Sequence, residues 1–143
     1  MKALTLTQPW ASLVALGEKK IETRSWYTSY RGPLAIRAAI GFPGWAKRQC
    51  FLAPFSVALV RHGLSPDDLP RGKVLCLTSI IDCLETCAVD LEGMAQDFPN
   101  DLAFGDFSWG RFAWFLGSVT EVFDPPIYAK GSLRLWERDC GKF

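Results

Sequence analysis

Apolar and polar residues alternate near both ends of this chain and run together in its middle, and the two patterns predict different elements. Lys2 to Leu6 alternates as a half-buried strand does. Pro9 then takes a helix-start position, and Trp10 to Leu16 form a short helix stopped by Gly17, with proline at the start and glycine past the end. Lys20 to Arg24 alternates polar and β-branched residues, the mark of an exposed or edge strand. Pro33 to Ala39 is the next strand, with Leu34, Ile36 and Ala38 on one face and Ala35, Arg37 and Ala39 on the other. Trp45 to Phe51 and Phe55 to Arg61 read as two short helices broken at Pro54, the second capped by Gly63, and Ser65 to Arg71 as a loop. The long apolar run Lys73 to Cys87 predicts a central strand. Val89 to Gln96 reads as a short helix, Asp97 to Ser108 as an acidic, irregular stretch, Trp109 to Phe123 as a second long strand and Ser132 to Glu137 as the last. Five or six strands with short helices between them predict an α+β domain built on a small curled sheet or barrel.

Composition narrows this picture. At 143 residues, with no internal repeat and no Gly/Ser linker, one domain spanning residues 1–143 is expected. Ten Phe, six Trp and three Tyr supply a packed core, and Phe112, Trp114, Leu116 and Trp136 are assigned to it. No apolar run approaches the ~20 residues of a membrane span, and no signal-peptide pattern opens the chain, so a cytoplasmic monomer without membrane association is expected. The five cysteines include no C-x-x-C pair, and the single histidine, His62, is distant from them in sequence. That argues for free thiols, against a disulfide, a metal site or another cofactor, and against a catalytic triad.

Charge changes the picture more. Residues 1 to 64 carry nine Lys/Arg against two acids, whereas residues 65 to 143 carry seven against thirteen. A basic face is the electrostatic footprint of a polyanion partner. The densest chemistry lies within that basic half. Lys19, Lys20, Glu22 and Arg24 are followed by Ser25, Trp26, Tyr30 and Arg31, a mixture of cations and aromatics suited to a phosphorylated, planar ligand. On a strand, Lys20, Glu22 and Arg24 share one side. Glu22 can then pair with Arg24 and aim its fork at a phosphate or base edge, while Lys19 projects from the preceding turn. Trp26 and Tyr30 are candidate stacking surfaces. Gln8 and Ser12, on the polar edge of the first helix beside Trp10, can border the same cleft, and Lys47 and Arg48 can extend the basic footprint. The expected partner is RNA or another single-stranded nucleic acid, with DNA or a nucleotide as alternatives.

Gly17-x-Lys19-x-x-Glu22-x-Arg24 also resembles the G-x-K-x-x-E-x-R signature of ASCH domains, a branch of the PUA-like superfamily. The flanks Gln8-Pro9-Trp10-Ala11-Ser12, Arg24-Ser25-Trp26 and Tyr30-Arg31-Gly32, and the closing Lys130-Gly131-Ser132-Leu133-Arg134-Leu135-Trp136, are similar to the cointegrator-type branch of that family. The resemblance implies a PUA-like β-barrel with a cleft lined by the signature, and nucleic acid, chiefly RNA, as ligand. Some small ASCH proteins are amidohydrolases that deacetylate N4-acetylcytidine, and others have been regarded as ribonucleases. The signature lysine is catalytic in the amidohydrolases, so the resemblance implies that role for Lys19, with Glu22 as its carboxylate partner only if this chain is an enzyme, and Glu92 is the nearest candidate for a further glutamate. Those enzymes carry threonine where this chain has Glu22, and a paired carboxylate is a poor nucleophile toward an amide. Binding is therefore the expected function, and a small hydrolase acting on a modified nucleoside or on RNA is the alternative.

Overall fold

The computed structural model describes residues 1–132 and 134–137. Its strands are β1 (Lys2–Leu6), β2 (Ile21–Arg24), β3 (Gly32–Ala38), β4 (Lys73–Glu85), β5 (Phe112–Leu116), β6 (Glu121–Tyr128) and β7 (Leu135–Glu137). The helices are α1 (Trp10–Ala15), α2 (Gly44–Gln49), α3 (Phe55–Arg61), α4 (Leu91–Asp97) and α5 (Pro99–Phe104). The seven strands form one sheet in the order β2-β5-β4-β3-β1-β7, with β6 also on β4. The α+β class expected from the sequence is what forms, with seven strands among the described residues rather than five or six. Among the described residues the sheet is open, since β2 and β7 end the path without pairing to each other.

The apolar run that forms β4 is long because it serves three neighbours. One edge pairs with β3. The other pairs first with β6, through Lys73 to Leu77, and then with β5, through Ile80 to Glu85. The predicted strand from Trp109 to Phe123 is therefore two strands, because the chain must leave one stretch of β4 and rejoin it at another. Gly117 to Thr120 make that transfer, with the Gly117 and Thr120 amides donating to the Ser79 and Leu77 carbonyls at 2.9 Å each. The stretch read as irregular from Asp97 contains α5, started by Pro99, whose missing amide hydrogen costs a helix nothing at its first position.

The alternation read in β1 and β3 divides the core as expected. Leu4, Leu6, Leu34, Ile36 and Ala38 pack with Ala11 and Val14 of α1 and with Trp114. Ala3, Ala35 and Val74 face the other way, toward Phe123, Ile127 and Trp136. Each fully buried aliphatic side chain contributes about 1.5–3 kcal/mol relative to exposure. Trp114, wholly buried, also donates its indole N–H to the Trp26 carbonyl at 3.3 Å. The described cysteines Cys50, Cys76, Cys83 and Cys87 are unpaired, and burial pushes the Cys76 thiol up to about 12. Cys140 lies outside the described residues, as does Leu133 of the closing motif.

Candidate functional site

The helix ahead of the signature ends in a way that fixes the signature's path. Gly17, at φ +77°, donates to the Val14 carbonyl, and the Glu18 amide reaches back to Leu13 at 2.9 Å, the paired bonds of a glycine-terminated helix. The Lys19 amide also reaches Leu13, at 3.1 Å, which folds the chain back under α1 and takes the lysine inward. Buried Asp101 of α5 then accepts the Lys20 and Ile21 amides at 2.7 and 3.1 Å, anchoring the start of β2.

Lys19 does not project from the turn as expected. It is 1% exposed, donates to the Ile21 carbonyl and pairs with Glu22 at 3.5 Å. The physical reason is mutual need: the glutamate, 8% exposed, requires a counter-charge, and the lysine stem is long enough to supply one from beneath. Glu22 Oε1 also accepts the Thr23 amide at 3.1 Å, and Oε2 accepts the Arg24 Nε–H at 3.1 Å. Arg24 Nη2 in turn donates to the Thr5 carbonyl at 2.9 Å. Lys19, Glu22 and Arg24 thus form one chain of charges running outward from the interior. Glu22 and Arg24 share a side of β2 as the alternation requires, and Arg24, with its side chain 26% exposed, is the member that meets solvent.

That outer end opens into a cleft of about 510 Å³. Its polar wall is Glu22, Thr23, Arg24 and Ser25 from β2 and its exit, with Asp106 and Arg111 bonded beside Thr23; its aromatic wall includes Trp10, Trp26, Trp45, Phe55 and Phe104. Trp10 and Trp45 lie 5.7 Å apart at 45°, and Phe55 meets Trp10 edge-on at 5.6 Å. The segment after α5 is pinned across the cleft by three contacts. Trp10 donates its indole N–H to the Phe104 carbonyl at 2.7 Å, the Asp106 amide donates to the Thr23 hydroxyl at 2.9 Å, and Arg111 Nη2 donates to the Thr23 carbonyl at 3.3 Å. Hydrogen bonds from Ser108, first its side chain and then its amide, hold the Asp106 carboxyl below its ordinary value, with Arg111 at 3.4 Å adding to the effect.

The other expected site residues fall elsewhere. Gln8 and Ser12 are buried and bonded to each other, with Gln8 also donating to the Pro70 carbonyl, so they fasten α1 rather than border the cleft. Lys20 faces a separate, largely apolar pocket beside α4 and α5. Tyr30 packs on the core and donates its hydroxyl to the Pro33 carbonyl, while Arg31 caps the Thr28 and Tyr30 carbonyls and pairs with Asp82 at 3.6 Å. Lys47 lies over the Phe42 ring, and Lys47 and Arg48 are exposed on α2 outside the cleft lining. Glu92 is exposed on α4 and does not line the cleft. His62 meets Glu18 at 3.1 Å beside Arg61. Trp26 does line the cleft, with the Arg134 guanidinium 4.8 Å from its ring centre and the Trp114 edge against it.

Trp45, Gln49, Phe55, Asp106 and Arg111 were not read as site residues, because they belong to the stretch whose sequence is least distinctive. Local signals existed all the same: a tryptophan beside Lys47 and Arg48 on a short helix, and an arginine after an acidic stretch.

A family model, ASCH domain, matches residues 4–127. Activating signal cointegrator 1 of Homo sapiens is 38% identical over 137 residues, covering 95% of this chain and 22% of that protein. Its Mus musculus counterpart is 32% identical over the same length and the same shares. The chain thus spans about a fifth of the length of these relatives. With the family signature folded into the charge chain beneath the cleft, and the match running through most of the sheet, the chain belongs to the ASCH domain family.

Proposed function

We propose that this domain binds single-stranded nucleic acid, RNA in the first place, with a base held in the cleft and a phosphate or base edge read by Arg24. The observation that carries this reading is the pairing of a braced guanidinium with an aromatic wall. Arg24 is fixed by Glu22 and Thr5 through Nε and Nη2, which leaves Nη1 and the second Nη2 hydrogen for a ligand, and it shares the cleft with Trp10, Trp26 and Trp45. Charge-assisted hydrogen bonds to phosphate combined with stacking on indoles are what single-strand binding needs, and stacking contributes ~1–3 kcal/mol per base. Arg111 adds a second cation. Glu22 and Asp106 give the cleft acceptors for a base's amino group, so it is not a featureless basic groove.

Hydrolysis through Lys19 fits the geometry less well. Its ammonium is sealed from solvent and committed to Ile21 and Glu22, so no substrate atom in the cleft reaches it. The unpaired thiols at Cys50, Cys76, Cys83 and Cys87 fit a reducing, cytoplasmic setting.

The test is a fluorescence-polarisation titration with a labelled single-stranded RNA across a range of salt. Affinity is expected to fall linearly on a log–log plot as counterions are released. Absence of binding at ~50 mM salt to homopolymers of all four bases would overturn the proposal.

A further inference from the structure

We infer that the largely apolar groove beside α4 and α5 docks a basic amphipathic peptide segment of a partner protein. The groove follows from a slip in β4. Its register against β5 shifts between Ile80 and Asp82, so that Ile80 and Cys83, three residues apart, both reach the main core. A bulge of this kind re-aims the side chains beside it. Ile81 and Leu84 are left to line a groove of about 440 Å³ instead. Ile21 and Met94, both buried, underlie it, and Val89, Phe98 and Phe115 complete its apolar surface. Ile81 is 61% exposed, Phe98 50% and Leu84 36%, so three large apolar side chains meet water within one concavity. Apolar residues scattered singly over a surface are ordinary, whereas a contiguous apolar patch rimmed by charge marks an interaction site.

The charge around the groove selects its occupant. Residues 81 to 110, which supply most of the lining, carry seven Asp/Glu and no Lys or Arg. Two of those acids are exposed members of the lining: Asp90, held in place by accepting the Gly93 amide at 3.0 Å, and Asp97, which among the described residues has no cation within ion-pair distance. A third, Asp101, is committed to the Lys20 and Ile21 amides. Lys20 is the single cation among the lining residues. Such a field repels the phosphates of nucleic acid and of anionic lipid and attracts lysine and arginine. A stripe of apolar side chains fills the groove while flanking cations meet Asp90 and Asp97, the arrangement by which grooves take up amphipathic helices. No residue lines both this groove and the cleft, so the two ligands occupy separate surfaces.

The probe is a synthetic helical peptide with leucines at i, i+3, i+4 and i+7 and lysines elsewhere, compared with a scrambled peptide of the same composition whose leucines form no stripe. Fluorescence polarisation reads the affinity, and methyl NMR spectra read the position. The striped peptide is expected to bind saturably and about tenfold or more tighter than the scrambled one, with the Ile81, Leu84 and Met94 methyl resonances shifting along the same isotherm. Phe98→Ala should weaken binding by roughly tenfold or more, as truncation of a central apolar anchor does. Phe98 flanks both α4 and α5 and its loss can disturb them, so Ile81→Ser, at a position open to water, is the second variant and should weaken binding likewise. Asp97→Lys should weaken it most at low salt, where charge is least screened. Ile81→Ser should leave RNA binding as in the wild type, so that failure of this inference and failure of the nucleic-acid reading are told apart. Absence of saturable binding, equal binding of the two peptides, or binding that Ile81→Ser and Asp97→Lys both leave unchanged overturns the inference. Concentration-dependent self-association of the protein alone, abolished by Ile81→Ser, assigns the groove to a second copy of the chain and overturns it as well.

Discussion

The signature segment, residues 17 to 24, and the stretch from 40 to 111 meet at one cleft and supply opposite things. The signature gives buried charge: Lys19 and Glu22 are almost sealed, and Arg24 alone of the three reaches the solvent edge. The later stretch gives exposed surface, through Trp45, Gln49, Asp106 and Arg111, on elements that by themselves carry no recognisable motif. A sequence signature can thus mark the support of a site rather than its contact surface. Three bonded charges in a low-dielectric setting tolerate little substitution, whereas a stacking wall needs only a ring in the right place.

If the comparison is right, the two regions fail differently when mutated. Lys19→Ala leaves Glu22 buried without its ammonium, and breaking a buried pair in this way costs about 3–5 kcal/mol. A large loss of stability in urea is expected, in contrast to the small effect implied for a lysine on an exposed turn. Unchanged stability would show that the charge chain is not structural.

Arg24→Ala and Trp45→Ala sharpen the contrast. Each should weaken RNA binding by about 1–3 kcal/mol, the arginine through a lost charged contact and the tryptophan through lost stacking. They should differ in stability, because Arg24 braces Glu22 and Thr5 whereas Trp45 is 55% exposed on α2. Thermal melts of the two variants measure this directly, with Trp45→Ala expected to melt close to wild type.

The smallest effect concerns pH. Asp106 titrates below the ordinary 3.8 because its charged form is hydrogen-bonded, so its contribution to stability is present above that value and lost as pH falls through the lower folded one. The stability difference between wild type and Asp106→Asn should be flat from about pH 8 to about pH 5 and shrink only in stronger acid.

Much of the fold was legible, for definite reasons. Period-two alternation placed β1 and β3 and their faces, and Pro9 with Gly17 bounded α1. What the sequence could not show was that β4 serves two successive partners on one edge, so an unbroken apolar run concealed the split into β5 and β6. In the site, strand alternation correctly joined Glu22 to Arg24. It misplaced Lys19, since the direction of a side chain leaving a turn depends on the 6→1 bond from Glu18 to Leu13. Gln8 and Ser12 looked like a polar helix edge and are instead each other's buried partners, a pairing that only tertiary packing distinguishes from a binding surface.

The central claim, that the aromatic wall beside Arg24 holds the base, is tested most directly by the indole N–H resonances of the six tryptophans during titration with a short single-stranded RNA. Trp10, Trp26 and Trp45 line the cleft, Trp109 is 87% exposed outside it, and Trp136 packs on the far face of the sheet. The account predicts that the first three shift together and saturate at one midpoint while Trp109 and Trp136 stay in place. Movement of Trp109 or Trp136 with Trp10 and Trp45 unchanged would contradict it.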